Sequence, residues 1–132
     1  MEKDTGYFKE KEKAFTPILA IEEASRCLLC YDAPCTNACP AGTDPAKFIR
    51  SLRFRNFKGA VSTIRENNIL GGICARVCPT DKYCEGACSL CGIDRPIEIG
   101  KIQRFLTDYE QAIGFKCLET AEATKDKVGI IG

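Results

Sequence analysis

The ten cysteines of this 132-residue chain fall into two runs and one outlier. The first run is Cys27-x2-Cys30-x4-Cys35-x3-Cys39-Pro40, the second is Cys74-x3-Cys78-Pro79-x4-Cys84-x3-Cys88-x2-Cys91, and Cys117 stands apart. Thiolates crowded at such spacing are soft ligands suited to zinc or to iron–sulfur clusters. Structural zinc sites usually present two pairs of cysteines, each held by a knuckle turn. Four close thiolates, the last before proline, match iron–sulfur ligation instead, in which the cysteine of the Cys-Pro pair crosses to a second cluster. Here the Cys-Pro signature occurs twice, at Cys39-Pro40 and Cys78-Pro79. The expected chemistry is electron transfer through two [4Fe-4S] clusters.

The crossing grammar of two-cluster ferredoxins also divides the ligands. Cys27, Cys30 and Cys35 should share one cluster with Cys88, while Cys39 joins Cys78 and Cys84 at the other, leaving one coordination position open. The rival uses are weaker. A disulfide framework needs an oxidising compartment, and Met1-Glu2-Lys3-Asp4-Thr5 opens no signal peptide. No stretch reaches the roughly 20 apolar residues of a membrane span. The expectation is a cytoplasmic protein whose cysteines do metal work. A net charge of +1 provides no long-range field for nucleic acid. Histidine is absent, which removes imidazole catalysis and mixed cysteine–histidine metal sites. No catalytic acid, base or nucleophile stands out.

The elements that must position these thiols read as helices. Residues 1–15 mix Lys and Glu and are expected to form a solvated or partly disordered arm. Residues 16–115 form the predicted α-helical two-cluster domain. Thr16-Pro17 reads as an N-cap followed by proline at the first helical position. In that helix Ile18, Leu19, Ile21, Ala24 and Leu28 mark the expected inner face, and its C-terminal end should deliver Cys27 and Cys30. Thr43-Asp44-Pro45 opens a second helix through about Arg55, with Phe48, Ile49 and Leu52 inward. A third follows Asn56 to about Asn67, with Ala60, Val61 and Ile64 inward, and Leu70-Gly71-Gly72 is the expected turn back to the clusters. The last long helix runs from about Glu98 to Ala112, its stripe Ile99, Ile102, Phe105, Leu106 and Tyr109, with Gly114 as its stop. The basic stretch Arg50–Lys58 fits solvated faces of two helices better than a nucleic-acid site.

Residues 116–126 have linker composition. Lys127-Val128-Gly129-Ile130-Ile131-Gly132 then reads as a buried strand reaching a glycine. Gly132 could be the first glycine of a G-x-G-x-x-G dinucleotide fingerprint, or an ordinary strand end. On the first reading, residues 127–132 are the first strand of a truncated FAD-binding domain.

Several segments carry a family resemblance: Cys27-Leu-Leu-Cys30-Tyr-Asp-Ala-Pro-Cys35, Ala38-Cys39-Pro40-Ala41, Asn68-Ile-Leu-Gly71 and Cys78-Pro79-Thr80. They resemble the N-terminal iron–sulfur domain shared by dihydropyrimidine dehydrogenases and the glutamate synthase small subunit. The spacing Cys78-x5-Cys84-x3-Cys88 is that of the dehydrogenases. Thr43-Asp-Pro-Ala-Lys-Phe-Ile-Arg-Ser51 and Phe54-Arg-Asn-Phe-Lys-Gly-Ala60 look most like the flavin subunit of the bacterial two-subunit enzyme. Flavin subunits of electron-bifurcating ferredoxin:NADP oxidoreductases share the spacing and are the runner-up.

The resemblance implies an all-α, ferredoxin-like domain with two [4Fe-4S] clusters, followed by FAD- and NAD(H)-binding domains. NADH would reduce FAD, and electrons would pass through the clusters to an FMN-containing catalytic subunit that reduces uracil or thymine. It further implies that the open coordination position belongs to a glutamine, matched here by Gln103 in Ile99-Gly100-Lys101-Ile102-Gln103-Arg104. Cys91 and Cys74 are the alternatives, although Cys74 fits a packing cysteine on a short helix. By itself the chain should relay electrons without catalysing a reaction, and its metal-free form should be poorly folded. A scaffold whose clusters are never reduced is the reading from another class.

Overall fold

A computed structural model describes residues 10–119, 121–122 and 127–131. The order is α1 (Pro17–Ser25), α2 (Pro34–Asn37), α3 (Pro45–Arg53), α4 (Phe57–Asn67), α5 (Gly71–Val77), a single 3-10 turn (Thr80–Lys82) and α6 (Ile99–Ile113). No strand occurs among the described residues, and the domain is all-α.

The start signals act as expected. Thr16 Oγ1 accepts from Leu19 N–H (3.3 Å), Asp44 Oδ1 from Lys47 N–H (3.0 Å) and Asn56 Oδ1 from Gly59 N–H (2.9 Å). Each satisfies a backbone donor that the first helical turn leaves unpaired. α6 ends at Gly114, whose φ of 64° is the left-handed stop that glycine adopts without penalty. α3 packs on α4, α5 on α6, and α1 on both α3 and α6. The core they enclose holds Phe48, Ile49, Leu52, Ala60, Val61, Ile64, Ile102 and Leu106. Phe57, Phe105 and Tyr109 close one side, with ring centroids 5.1–6.1 Å apart. The basic stretch is partly absorbed into this packing: Arg53 donates to Cys27 O (3.2 Å), and Lys58 lies 5.2 Å from the Phe115 ring centroid.

α1 departs from its predicted face. Ile18, Leu19 and Leu28 are exposed, and the buried residues are Ala20, Glu23 and Ala24. The small alanines let α1 approach closely, and Glu23 is turned inward by partners remote in sequence. Its carboxylate accepts from Arg26 Nη1 (2.6 Å), Arg95 Nη2 (3.0 Å) and Glu98 N–H (3.0 Å). Leaving this carboxylate inside unpaired would cost several kcal/mol, and these three donors remove that cost. α1 also ends at Ser25, so Cys27 and Cys30 lie in the loop that follows.

Gly71 and Gly72, expected in a turn, instead open α5. The turn is set one step earlier by Asn68, whose Oδ1 accepts from Leu70 N–H (3.1 Å). Gly71 serves close packing: a Cβ there would stand 2.6 Å from Ile64 Cγ2. The described part of the predicted arm, residues 10–15, is tied down. Arg104 pairs with Glu10 and donates to Glu12 O (3.0 Å), and Phe15 packs on the core. Residues 1–9 lie outside the described residues. At the other end Phe115 and Cys117 pack on the core, so the predicted linker begins inside the domain. Residues 127–131 form no strand, since a strand needs a ladder partner and the described chain offers none. Gly132 lies outside the described residues.

Candidate metal centre

The loop after α1 carries the first two thiols. Leu29, with φ 56°, takes the left-handed turn that folds Cys30 back beside Cys27. Pro34 then opens α2, a single turn with Cys35 inside it and Cys39 just past its end. Cys35 and Cys39 therefore leave the same short helix at opposite ends. Cys84 and Cys88 repeat this arrangement on the turns that follow Lys82. There Glu85 and Gly86 N–H both donate to Thr80 O (2.9 and 3.2 Å), and a Cβ at Gly86 would stand 2.0 Å from Asp81 O. That close approach leaves room only for glycine.

Cys27, Cys30, Cys35 and Cys88 line one cavity, walled by apolar groups that include Ala33, Ile49, Leu90 and Ile97. The four thiols come from three separate segments of the chain. Burial pushes the Cys35 thiol up to about 11, and Cys27 and Cys88 raise it further; the Thr36 N–H and hydroxyl oppose the rise. Cys27 is raised by burial, against a hydrogen bond from Leu29 N–H.

Cys39, Cys78 and Cys84 form a second neighbourhood. Burial pushes Cys84 up to about 12, with Glu85, Cys39 and Cys78 adding to the effect. Burial raises Cys78 as well, followed by Cys74, Cys39 and Glu85. Cys74 lies on α5, one turn before Cys78 just past the end of that helix, and its thiol faces Asn68 Oδ1 at 3.8 Å. Gln103 is buried on α6, where its Nε2 donates to Gly71 O (2.7 Å). The amide nitrogen is thereby engaged with α5 rather than with any of the three thiols. Cys91 is exposed, its thiol directed at Glu85 O (3.4 Å). Cys117 faces Glu110 Oε1 (3.5 Å), away from both groups.

These raised thiol pKa values define the metal-free state. A folded value above the ordinary 9.0 means that folding favours the protonated thiol. That contribution is fully present below pH 9.0 and is lost as the pH rises towards about 11 for Cys35 and about 12 for Cys84. Metal loading requires thiolates and so expels these protons. Among the described residues, no three Cys, Asp or Glu side chains close on a point as the shell of a lone ion. Four thiols lining one apolar cavity are the donor set that iron–sulfur clusters take, so the chemistry of these residues fits such a cluster.

The profile of the family described as dihydropyrimidine dehydrogenase domain II, 4Fe-4S cluster, matches residues 4–115. The chain belongs to that family. Two relatives are the NAD-dependent dihydropyrimidine dehydrogenase subunit PreT of Escherichia coli O157:H7, 62% identical over 127 residues, and that of strain K12, 61% identical over the same length. The subunit of Salmonella typhimurium strain LT2 is 60% identical. Each alignment covers 96% of this chain and 31% of the relative. The dihydropyrimidine dehydrogenase iron–sulfur domain thus spans about a third of the relatives it matches. Membership bears out the resemblance, the helical fold and the 4Fe-4S chemistry. Among the described residues no helix is long and apolar enough to cross a membrane.

Sequence reasoning overlooked the groups around the thiols. Ser89 stands beside Cys30 Sγ (3.3 Å), Glu85 beside Cys84, and Thr36 beside Cys35. Thr36 and Glu85 directly follow a cysteine, a signal the sequence did offer. The contact from Ser89 to Cys30 spans 59 positions and had no local signature.

Proposed function

We propose that this chain holds two [4Fe-4S] clusters and relays electrons between FAD and a partner subunit. One cluster would be held by Cys27, Cys30, Cys35 and Cys88, the other by Cys39, Cys78, Cys84 and Gln103. The observation that carries the reading is the cavity lined by four thiols from three chain segments, in a domain of the 4Fe-4S family. When bound, such clusters supply one-electron carriers between a two-electron flavin and a distant acceptor. The chain's own residues gather the thiolates, exclude water with an apolar wall and fix the two sites on either side of α2. The relatives' names point to NAD dependence and to a dihydropyrimidine dehydrogenase subunit, and we read NADH as the donor. In that setting the complete protein carries FAD and NAD(H) domains, works in the cytoplasm and passes electrons to an FMN-containing subunit that reduces uracil or thymine.

Potentiometric EPR on the complete protein tests the relay. Signals from reduced clusters should grow in when NADH is added anaerobically. Clusters that remain silent at every accessible potential would make this domain a structural scaffold.

The eighth ligand has its own test. Gln103→Ala should halve the bound iron, whereas Cys74→Ala and Cys91→Ala should leave it unchanged. The reverse result at Cys74 would give the position to the thiol that already neighbours Cys78.

A further inference from the structure

The Cys30 thiol donates to Ser89 Oγ at 3.3 Å. Ser89 directly follows Cys88, so this contact joins two segments that line the same cavity. Its position is fixed from both sides. Cys91 N–H donates to Cys88 O (2.9 Å), Ile93 N–H donates to Leu90 O (3.0 Å), and Leu90 is buried. Ser89 itself is exposed, and nothing in the packing of the core requires a hydroxyl there.

We infer that Ser89 tunes the reduction potential of the cluster held by Cys27, Cys30, Cys35 and Cys88, through a hydrogen bond from its hydroxyl to Cys30 Sγ. The inference rests on the two-cluster reading above. A ligating Cys30 has no proton to donate, so the polarity of the contact reverses: Ser89 O–H becomes the donor and the thiolate sulfur the acceptor. Hydrogen bonds to ligand sulfurs are among the levers that set cluster potentials. Reduction adds one electron from the donor to the cluster, and part of the added negative charge falls on the sulfurs. A hydroxyl aimed at Cys30 Sγ stabilises that charge more in the reduced form than in the oxidised form, which raises the potential. The second site has the opposite kind of neighbour. Glu85, bonded to Cys84, brings a carboxylate there and receives Gly100 N–H on Oε1 (2.9 Å). Ser89 therefore favours the first site as the resting place of the electron.

The test is a redox titration of the anaerobically prepared protein followed by EPR, with iron and sulfide measured on every sample. In Ser89→Ala both clusters should be retained, and one of the two midpoint potentials should fall. The expected size is about a tenfold drop in the reduced-to-oxidised ratio at fixed ambient potential, or about 59 mV for one electron. Ser89→Thr, which keeps the hydroxyl, should titrate like the unsubstituted protein. Both midpoints unchanged in Ser89→Ala would overturn the inference, since water would then serve Cys30 equally well. A fall of equal size in Ser89→Thr would also overturn it, because the effect would be one of loop shape. An unsubstituted protein with no reducible cluster would defeat the two-cluster reading and this inference with it.

Discussion

Replacing Cys88 by alanine should lower both iron and sulfide from about eight atoms per chain to about four, and one of two cluster signals should vanish. Cys35→Ala should remove the same signal. Cys39→Ala and Cys84→Ala should remove the other, although Cys35 and Cys39 flank one turn of helix and Cys84 and Cys88 one short loop. The expectation follows from the two neighbourhoods: Cys88 lines the cavity of Cys27, Cys30 and Cys35, while Cys39 and Cys78 act on Cys84. Should Cys35→Ala and Cys39→Ala extinguish the same signal, the crossed assignment is wrong.

The same substitutions bear on folding. Residues 83–97 contain no helix, and their buried apolar side chains are Cys84, Leu90 and Ile97. Apart from these side chains and polar ties such as Arg26 to Asp94 and Arg95 to Glu23, the metal it would help to hold is what offsets its ordering entropy. Helices α3, α4 and α6 supply most of the large buried apolar side chains of the core, with Cys84 at its edge. Chelation of the metal should thus strip hydrogen-exchange protection from 83–97 to the level of a mobile loop while much of the helical signal persists. Uniform loss of protection across α3, α4 and α6 would instead restore the expectation of a poorly folded metal-free chain.

What the sequence made legible was whatever rested on local chemistry. Thr16-Pro17, Asp44-Pro45, Asn56 and Gly114 mark helix ends with groups that satisfy nearby backbone, so their meaning lies within four residues. The inner faces of α3, α4 and α6 follow from periodicity because each has apolar side chains on one side only. α1 was misread because both its sides carry apolar residues. The choice between them was made by Arg95 and Glu98 acting on Glu23, more than 70 positions away. Gly71 and Gly72 resemble a turn in any local reading, and the reason they open a helix is the proximity of Ile64 and Thr107. The cysteine grouping was legible in part, since the Cys-Pro grammar encodes a crossing but not which atoms surround it. Ser89 and Glu85, which give the two sites different electrostatic surroundings, became visible only with the loops folded.

The largest functional effect should appear in the complete protein joined to its partner subunit. Cys35→Ala or Cys84→Ala should bring NADH-dependent reduction of uracil or thymine down to background, while NADH oxidation with an artificial dye continues near the unsubstituted rate. On the proposed path the dye would take electrons at the flavin, upstream of both sites, and so would not depend on residues that assemble the clusters. On the proposed relay, the pyrimidine would receive electrons only after they had crossed this domain. Burial pushes the free thiols up to about 11 for Cys35 and about 12 for Cys84, which keeps both protonated near neutral pH and unsuited to act as a base. Their loss should therefore act on transfer alone. Iron analysis on the same samples ties the rate to the cluster that was lost, and circular dichroism shows whether the helices around it survived. Pyrimidine reduction that persists in either variant would mean that electrons bypass this domain, and its clusters would then hold the fold together without carrying current.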